Sequence, residues 1–143
     1  AAQVGWSQPG TARGIAVADL DNDGDLDVIV TRQFAPASIY RNDGADKAWL
    51  GLFLEGDGRR CNRDAAGTRV VAQLPDAGPG TRQVRELHTI NGFSAQSDRR
   101  MLFGFGQQTG RVSVDIHWCG EPSADKRVLE PGRYHRVRQA DLG

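Results

Sequence analysis

The chain has 143 residues, enough for one domain and a short appendage, and its 18 basic and 18 acidic side chains cancel to zero net charge. That balance excludes a general electrostatic pull toward nucleic acid or an anionic bilayer. No apolar run approaches the roughly 18 residues needed to span a membrane, and no charged-then-apolar signal segment is present.

The chain opens on Ala1 rather than methionine, which implies processing or excision from something longer. Residues 1–11 hold Val4 and Trp6 among Gly and Pro, too little for a domain. They read as an extended leader and a candidate donor strand for another subunit's sheet edge. Residues 12–46 differ in character from the rest of the chain. Two apolar runs, 14–18 and 28–30, flank a strongly acidic loop; a third strand is expected at 38–41, ending in the turn Asn42-Asp43-Gly44, with a boundary near Asp46.

The loop reads Asp19-Leu20-Asp21-Asn22-Asp23-Gly24-Asp25-Leu26-Asp27. Carboxylates at its first, third, fifth and ninth positions converge if the chain wraps tightly. Gly24 at position six permits the wrap, and the carbonyl of Asp25 at position seven adds an oxygen. Such a set repels itself without a cation. A hard ion that takes six to eight flexible oxygens relieves the conflict, which fits calcium better than octahedral, water-retaining magnesium. An EF-hand would need an acid at position twelve and flanking helices; Val30 stands there, between strand-like flanks. The expectation is therefore a strand-loop-strand calcium site.

Beyond the boundary, alternation dominates. Leu50, Leu52 and Leu54 share one face of a strand, and Val112, Val114, Ile116 and Trp118 share one face of another, with Ser113, Asp115 and His117 opposite. Further strands are expected at 68–74, 81–87, 101–105 and 134–138. Loops are expected at 75–80 and 119–124, and a tight turn at Asn91-Gly92. Many short strands at this spacing predict a sandwich or barrel.

Cys61 and Cys119 form no metal-binding spacing. They read as a disulfide closing a long loop, or as two thiols in a reduced compartment; an extracellular calcium site favours the bridge. His88, His117 and His135 fall in no catalytic or metal motif, and Ser94 and Ser97 lack a nucleophile elbow. Asn62-Arg63-Asp64 reads either as a turn or as a group that reaches the calcium loop, as a brace or an extra ligand. Arg127, Arg133, Arg136 and Arg138 read as a basic C-terminal strand, either a groove for anionic polysaccharide or, more usually for such a strand, a charged edge that blocks unwanted pairing.

Residues 14–30 resemble the FG-GAP/VCBS calcium repeat of integrin-type propellers. The ordered segments 50–56, 62–67, 83–86, 94–98 and 102–106 resemble the ASPIC/UnbV domain, which succeeds such repeats in secreted cartilage acidic proteins and bacterial extracellular proteins. The resemblance implies an all-β chain, with a small sandwich of transthyretin-like or immunoglobulin-like type at 47–143 preceded by a calcium-binding hairpin at 12–46. It also implies a secreted, non-enzymatic module, with Asp19, Asp21, Asp23, Asp25 and Asp27 as calcium ligands. Cys61, just ahead of Asn62-Arg63-Asp64, and Cys119, just after Trp118, fall in segments that the family otherwise builds without cysteine, which fits an added staple. A single repeat cannot bury its own faces. It is therefore the end of a propeller, or packs on its own sandwich, or docks on a neighbour. The expected use is a structural or adhesive module that assembles with itself into a filament or adjoins a propeller; the alternative is calcium-dependent recognition of a glycan or a protein.

Overall fold

The computed structural model describes residues 9–44, 47–75, 79–90, 92 and 95–139. The expected turn at Asn91-Gly92, the leader through residue 8, the boundary residue Asp46 and Ser94 lie wholly or partly outside them. Among the described residues ten strands run in chain order: β1 (Ala12–Ala18), β2 (Asp27–Arg32), β3 (Ala35–Tyr40), β4 (Ala48–Glu55), β5 (Arg69–Gln73), β6 (Gln83–Glu86), β7 (Met101–Gly106), β8 (Val112–His117), β9 (Asp125–Leu129) and β10 (Tyr134–Arg138). They form three sheets, ordered β1-β2-β3, β10-β4-β7 and β6-β5-β8-β9. The fold is thus all-β, and the β10-β4-β7 and β6-β5-β8-β9 sheets make a small sandwich.

The core lies between those two sheets. From one side come Leu50, Leu52, Leu54, Phe103 and Val137; from the other come Val70, Ala72, Val112, Val114 and Ile116, with Trp118 closing one end. All are buried because the period-two pattern puts every second side chain on the inner face. The expected faces of β4 and β8 are the observed ones.

β9 was not expected, and its chemistry explains why. Register sets Asp125, Arg127 and Leu129 beside the inward residues Ile116, Val114 and Val112. The inward positions of this strand are therefore largely polar, and Val128 points outward, 62% exposed. Asp125 is 8% exposed, and its carboxylate is held by the Arg127 guanidinium at 3.0 Å. A buried charge is tolerable only when paired in this way. Arg127 thus belongs to this strand and not to the basic C-terminal one. The expected strand at 81–87 is shorter, since a 3-10 turn takes Pro79–Thr81. Arg136 and Arg138 on β10 both pair with Glu55, at 3.0 and 2.7 Å.

Cys61 and Cys119 form a disulfide, with Cα atoms 4.9 Å apart. It ties the loop after β4 to the end of β8. Beneath it, Asp57 accepts backbone N–H groups from Arg59, Arg60 and Cys61 and the Arg60 Nε–H. These bonds, the Arg59 N–H first, hold the Asp57 carboxyl well below the usual carboxylate range.

The bridge spans a sequence separation of 58 residues, which the chain-entropy model converts to roughly 4 kcal/mol. A Cys61→Ala/Cys119→Ala variant is expected to lose that order of stability in urea titration at fixed pH. Asp57 contributes stability that is full above the unfolded carboxyl value of 3.8 and is lost as pH falls toward the lowered folded value. Asp57→Asn is therefore expected to destabilise at pH 7 and to flatten the acid limb below pH ~4, read by denaturant melts across that range.

Candidate metal centre

β1 and β2 pair in antiparallel register, with Ala18 opposite Asp27, so the acidic loop is the cap of a hairpin. Asn22 and Gly24 take positive φ of 63° and 94° and turn the chain back on itself. The wrap aims backbone donors at the first and last acids. Asp19 accepts from the N–H of Asp23 at 3.1 Å through Oδ1 and from Gly24 at 3.0 Å through Oδ2. Asp27 accepts from Leu20 and from Asn42, each at 2.8 Å. The segment Asn42-Asp43-Gly44, expected as a turn, does not form one; it closes one side of the loop.

The five expected ligands divide. Asp19, Asp21 and Asp27 each bring a carboxylate oxygen within 4.8 Å of the others. Asp23 instead accepts the Asp25 N–H through Oδ1 at 2.9 Å. The Asp25 carboxylate lies against Gly44, so close that a Cβ there would overlap it. Asp19 and Asp27 are each only 1% exposed. No lysine or arginine ion pair to either occurs among the described residues; Arg41 approaches only Asp21, at 4.0 Å, and also pairs with Asp43. Desolvation first, then the charges of Asp23 and Asp27, raise the Asp21 carboxyl above its ordinary value. The arrangement is a concentrated, partly buried negative site in which, among the described residues, neither buried acid has a basic side chain paired to it.

The loop sits on the outer face of the β10-β4-β7 sheet. Gly24 lies against the Trp49 indole, where a Cβ would overlap the ring. The Tyr134 ring lies over Gly51, again where no Cβ fits, with its centroid 5.1 Å from that of Trp49. The Tyr134 hydroxyl donates to Asp19 Oδ2 at 2.7 Å, and burial followed by this bond pushes the phenol up from its ordinary value. Arg100 donates to the Asp19 carbonyl at 2.6 Å and to Asn22 Oδ1. Along the open edge of β1, the Asp98 N–H donates to the Val17 carbonyl at 2.9 Å and the Val17 N–H to Ser97 Oγ at 3.1 Å. Through these contacts the hairpin packs on the chain's own sandwich.

Sequence reasoning missed Tyr134, Arg100 and the Asn42 N–H, which approach the loop only through tertiary structure. Ser97 and Asp98 carried a partial signal as a Ser/Asp segment. Asn62-Arg63-Asp64 does not brace the loop: Asn62 bonds to Ala66 in a local turn, and Asp64 pairs with Arg99 at 2.6 Å. The histidines are dispersed, His135 against the Glu130 carbonyl at 2.8 Å and His88 4.0 Å from Glu86. Among the described residues, no helix is long and apolar enough to cross a membrane.

Fold and site together define a disulfide-stapled β-sandwich that carries an acidic β-hairpin on one outer face. The family model described as ASPIC and UnbV matches residues 58–142, and the chain belongs to that family. No curated protein and no solved structure matches it. The hairpin lies ahead of the matched residues.

The Gly24 geometry predicts that Gly24→Ala, which adds a methyl group against Trp49 at a backbone angle hostile to side chains, dislodges the loop. The expected loss is about 1–3 kcal/mol, accompanied by a red shift and altered intensity of Trp49 fluorescence.

Proposed function

We propose that the chain is a non-catalytic extracellular module in which one calcium ion, held by the 19–27 loop, braces the hairpin onto the sandwich. The observation that carries this reading is the burial of Asp19 and Asp27, each 1% exposed, beside Asp21 with no basic side chain paired to either buried acid among the described residues. Buried like charges need a proton or a cation between them. The residues fit calcium: carboxylates and carbonyls only, no nitrogen or sulfur donor, and a flexible oxygen set. Asp19, Asp21 and Asp27 would hold the ion. The Asp23 carboxylate and the Asp25 carbonyl would complete the set that their places in the loop assign. The likeness of residues 14–30 to the FG-GAP/VCBS repeat supports the same choice, and the disulfide, which persists in oxidising compartments, supports the extracellular placement.

The ion supplies charge neutralisation and a rigid centre. The chain's own residues do the rest: backbone donors keep the two buried carboxylates aimed while Trp49 and Tyr134 seat the loop. Extracellular calcium modules bind at about 10⁻⁴–10⁻³ M, a range filled by millimolar external calcium.

A second reading concerns self-assembly. The β1-β2-β3 sheet exposes Ile15 (53%) and Ile39 (65%), which strand register places on opposite faces, and Phe34 (97%) at the tip between β2 and β3. A sheet with apolar side chains on both faces is an unfinished layer. With zero net charge to oppose association, the partner proposed is a second copy of this chain.

Calcium titration by calorimetry, with magnesium alongside, tests the first reading. Wild type is expected to bind one calcium and to ignore magnesium at equal concentration, and Asp27→Ala to bind none. At a hundredfold excess over the dissociation constant the ion is expected to add about 2.7 kcal/mol, several degrees of melting temperature. Absence of heat and of any melting shift would refute it. Light scattering with calcium and with chelator tests the second: monomers in both conditions at high protein concentration remove it.

A further inference from the structure

We propose that Tyr134 and Arg100, both within the ASPIC and UnbV region, are positioning residues of the acidic loop, so that cation binding and hairpin docking are one cooperative step. The inference rests on the calcium reading above and names the residues through which the sandwich sets the site's affinity.

A carboxylate offers about four acceptor positions. On Asp19, three are filled: by the N–H groups of Asp23 and Gly24 and by the Tyr134 hydroxyl. The remaining position on Oδ1 is therefore fixed in direction by donors on both oxygens. Only the hydroxyl comes from outside the loop. Its ring is immobilised by Gly51 beneath, Trp49 at 5.1 Å and the Arg100 guanidinium at 4.3 Å.

Arg100 acts on the loop's backbone. It bonds the Asp19 carbonyl and the side chain of Asn22, the non-glycine residue held at φ 63°. A left-handed residue persists only where its surroundings over-determine it. A cation beside a cation site would oppose binding, but Asp98 pairs with Arg100 through Nε at 2.5 Å and offsets that charge. Asp98 is in turn bonded through its N–H to β1. One continuous path thus links β1, Asp98, Arg100, the loop, Tyr134 and β10. Outer-shell donors of this kind set metal affinity by aiming the ligands.

The test uses the full chain and two variants. Tyr134→Phe keeps the ring over Gly51 and removes only the hydroxyl. Arg100→Lys keeps the charge and removes the fork. Calcium affinity is measured by calorimetry, melting temperature with and without calcium, and hydrogen exchange at β8, in the sheet that does not carry the hairpin. Each variant is expected to weaken calcium binding about tenfold and to reduce the calcium-induced slowing of exchange over residues 112–117. Arg111→Gln, which breaks an exposed pair with Glu130, is the control and is expected to change neither. Wild-type affinity in both variants overturns the inference, as does a fall in melting temperature that is equal with and without calcium, since that marks a structural role alone. If one variant fails to fold by circular dichroism, the other decides. A wild type that takes up no calcium removes the calcium reading and this inference together, whereas binding that both variants leave unaltered removes only this one.

Discussion

Two carboxylates taken out of water within reach of each other set the terms for this molecule. Asp19 and Asp27 close the ends of one loop at 1% exposure each, and neither has an arginine or lysine paired to it among the described residues. Removing an ionised group from water is costly unless hydrogen bonds and a counter-charge compensate. The hydrogen bonds are in place: two backbone donors on each acid, and the Tyr134 hydroxyl as a third on Asp19. Those donors hold the carboxylates side by side, and in doing so they keep the electrostatic conflict that a divalent cation would resolve.

The seat for this loop dictates the design of the outer sheet face. Trp49, Gly51 and Phe53 alternate with the core leucines along β4, so three apolar or vacant positions point away from the core. An exposed stripe of this kind on a free-standing sandwich would be a liability. Here Trp49 meets Gly24 of the loop, Gly51 gives room to Tyr134, and Phe53 lies under the guanidinium groups of Arg99 and Arg136 at 5.5 and 5.1 Å. Hairpin and sandwich thus fit at single-residue grain: Gly24 of the loop makes room for Trp49, and Gly51 makes room within the sandwich for the Tyr134 ring whose hydroxyl reaches Asp19.

Much of this was legible in the sequence where one local rule acted alone. The alternation Val112, Val114, Ile116 and Trp118 read correctly because β8 is central in its sheet and hydrophobic burial alone decides its pattern. The strands on either side of the acidic loop were placed correctly because apolar runs broken by a polar, glycine-containing segment are a local device. β9 was illegible because its inward side is Asp125 and Arg127, a pair whose acceptability in the interior depends on their meeting each other. Tyr134 and Arg100 were illegible as site residues for a related reason. Tyr134 bonds across 115 residues and Arg100 across 78 and 81, and no periodicity encodes a contact of that range. The division among the aspartates was equally hidden: the same spacing allows Asp23 and Asp25 to turn inward or, as here, to engage Asp25's N–H and the floor at Gly44.

The family match begins at residue 58, yet the sandwich physically begins earlier. β4 runs Ala48–Glu55 and is the central strand of its sheet, bonded to β10 in parallel and to β7 antiparallel. Without it, β7 and β10 would have no common partner and the core would lose Leu50, Leu52 and Leu54. The folding unit must therefore include residues ahead of the matched segment. β4 carries on its outer face the Trp49 and Gly51 that receive the hairpin. The strand that completes the core is the same strand that seats the acidic loop, so a change that shifts β4 reaches both at once. A boundary drawn at residue 58 cuts through the sandwich and through the surface that holds Gly24, and a piece begun there would lack both the core leucines and the seat.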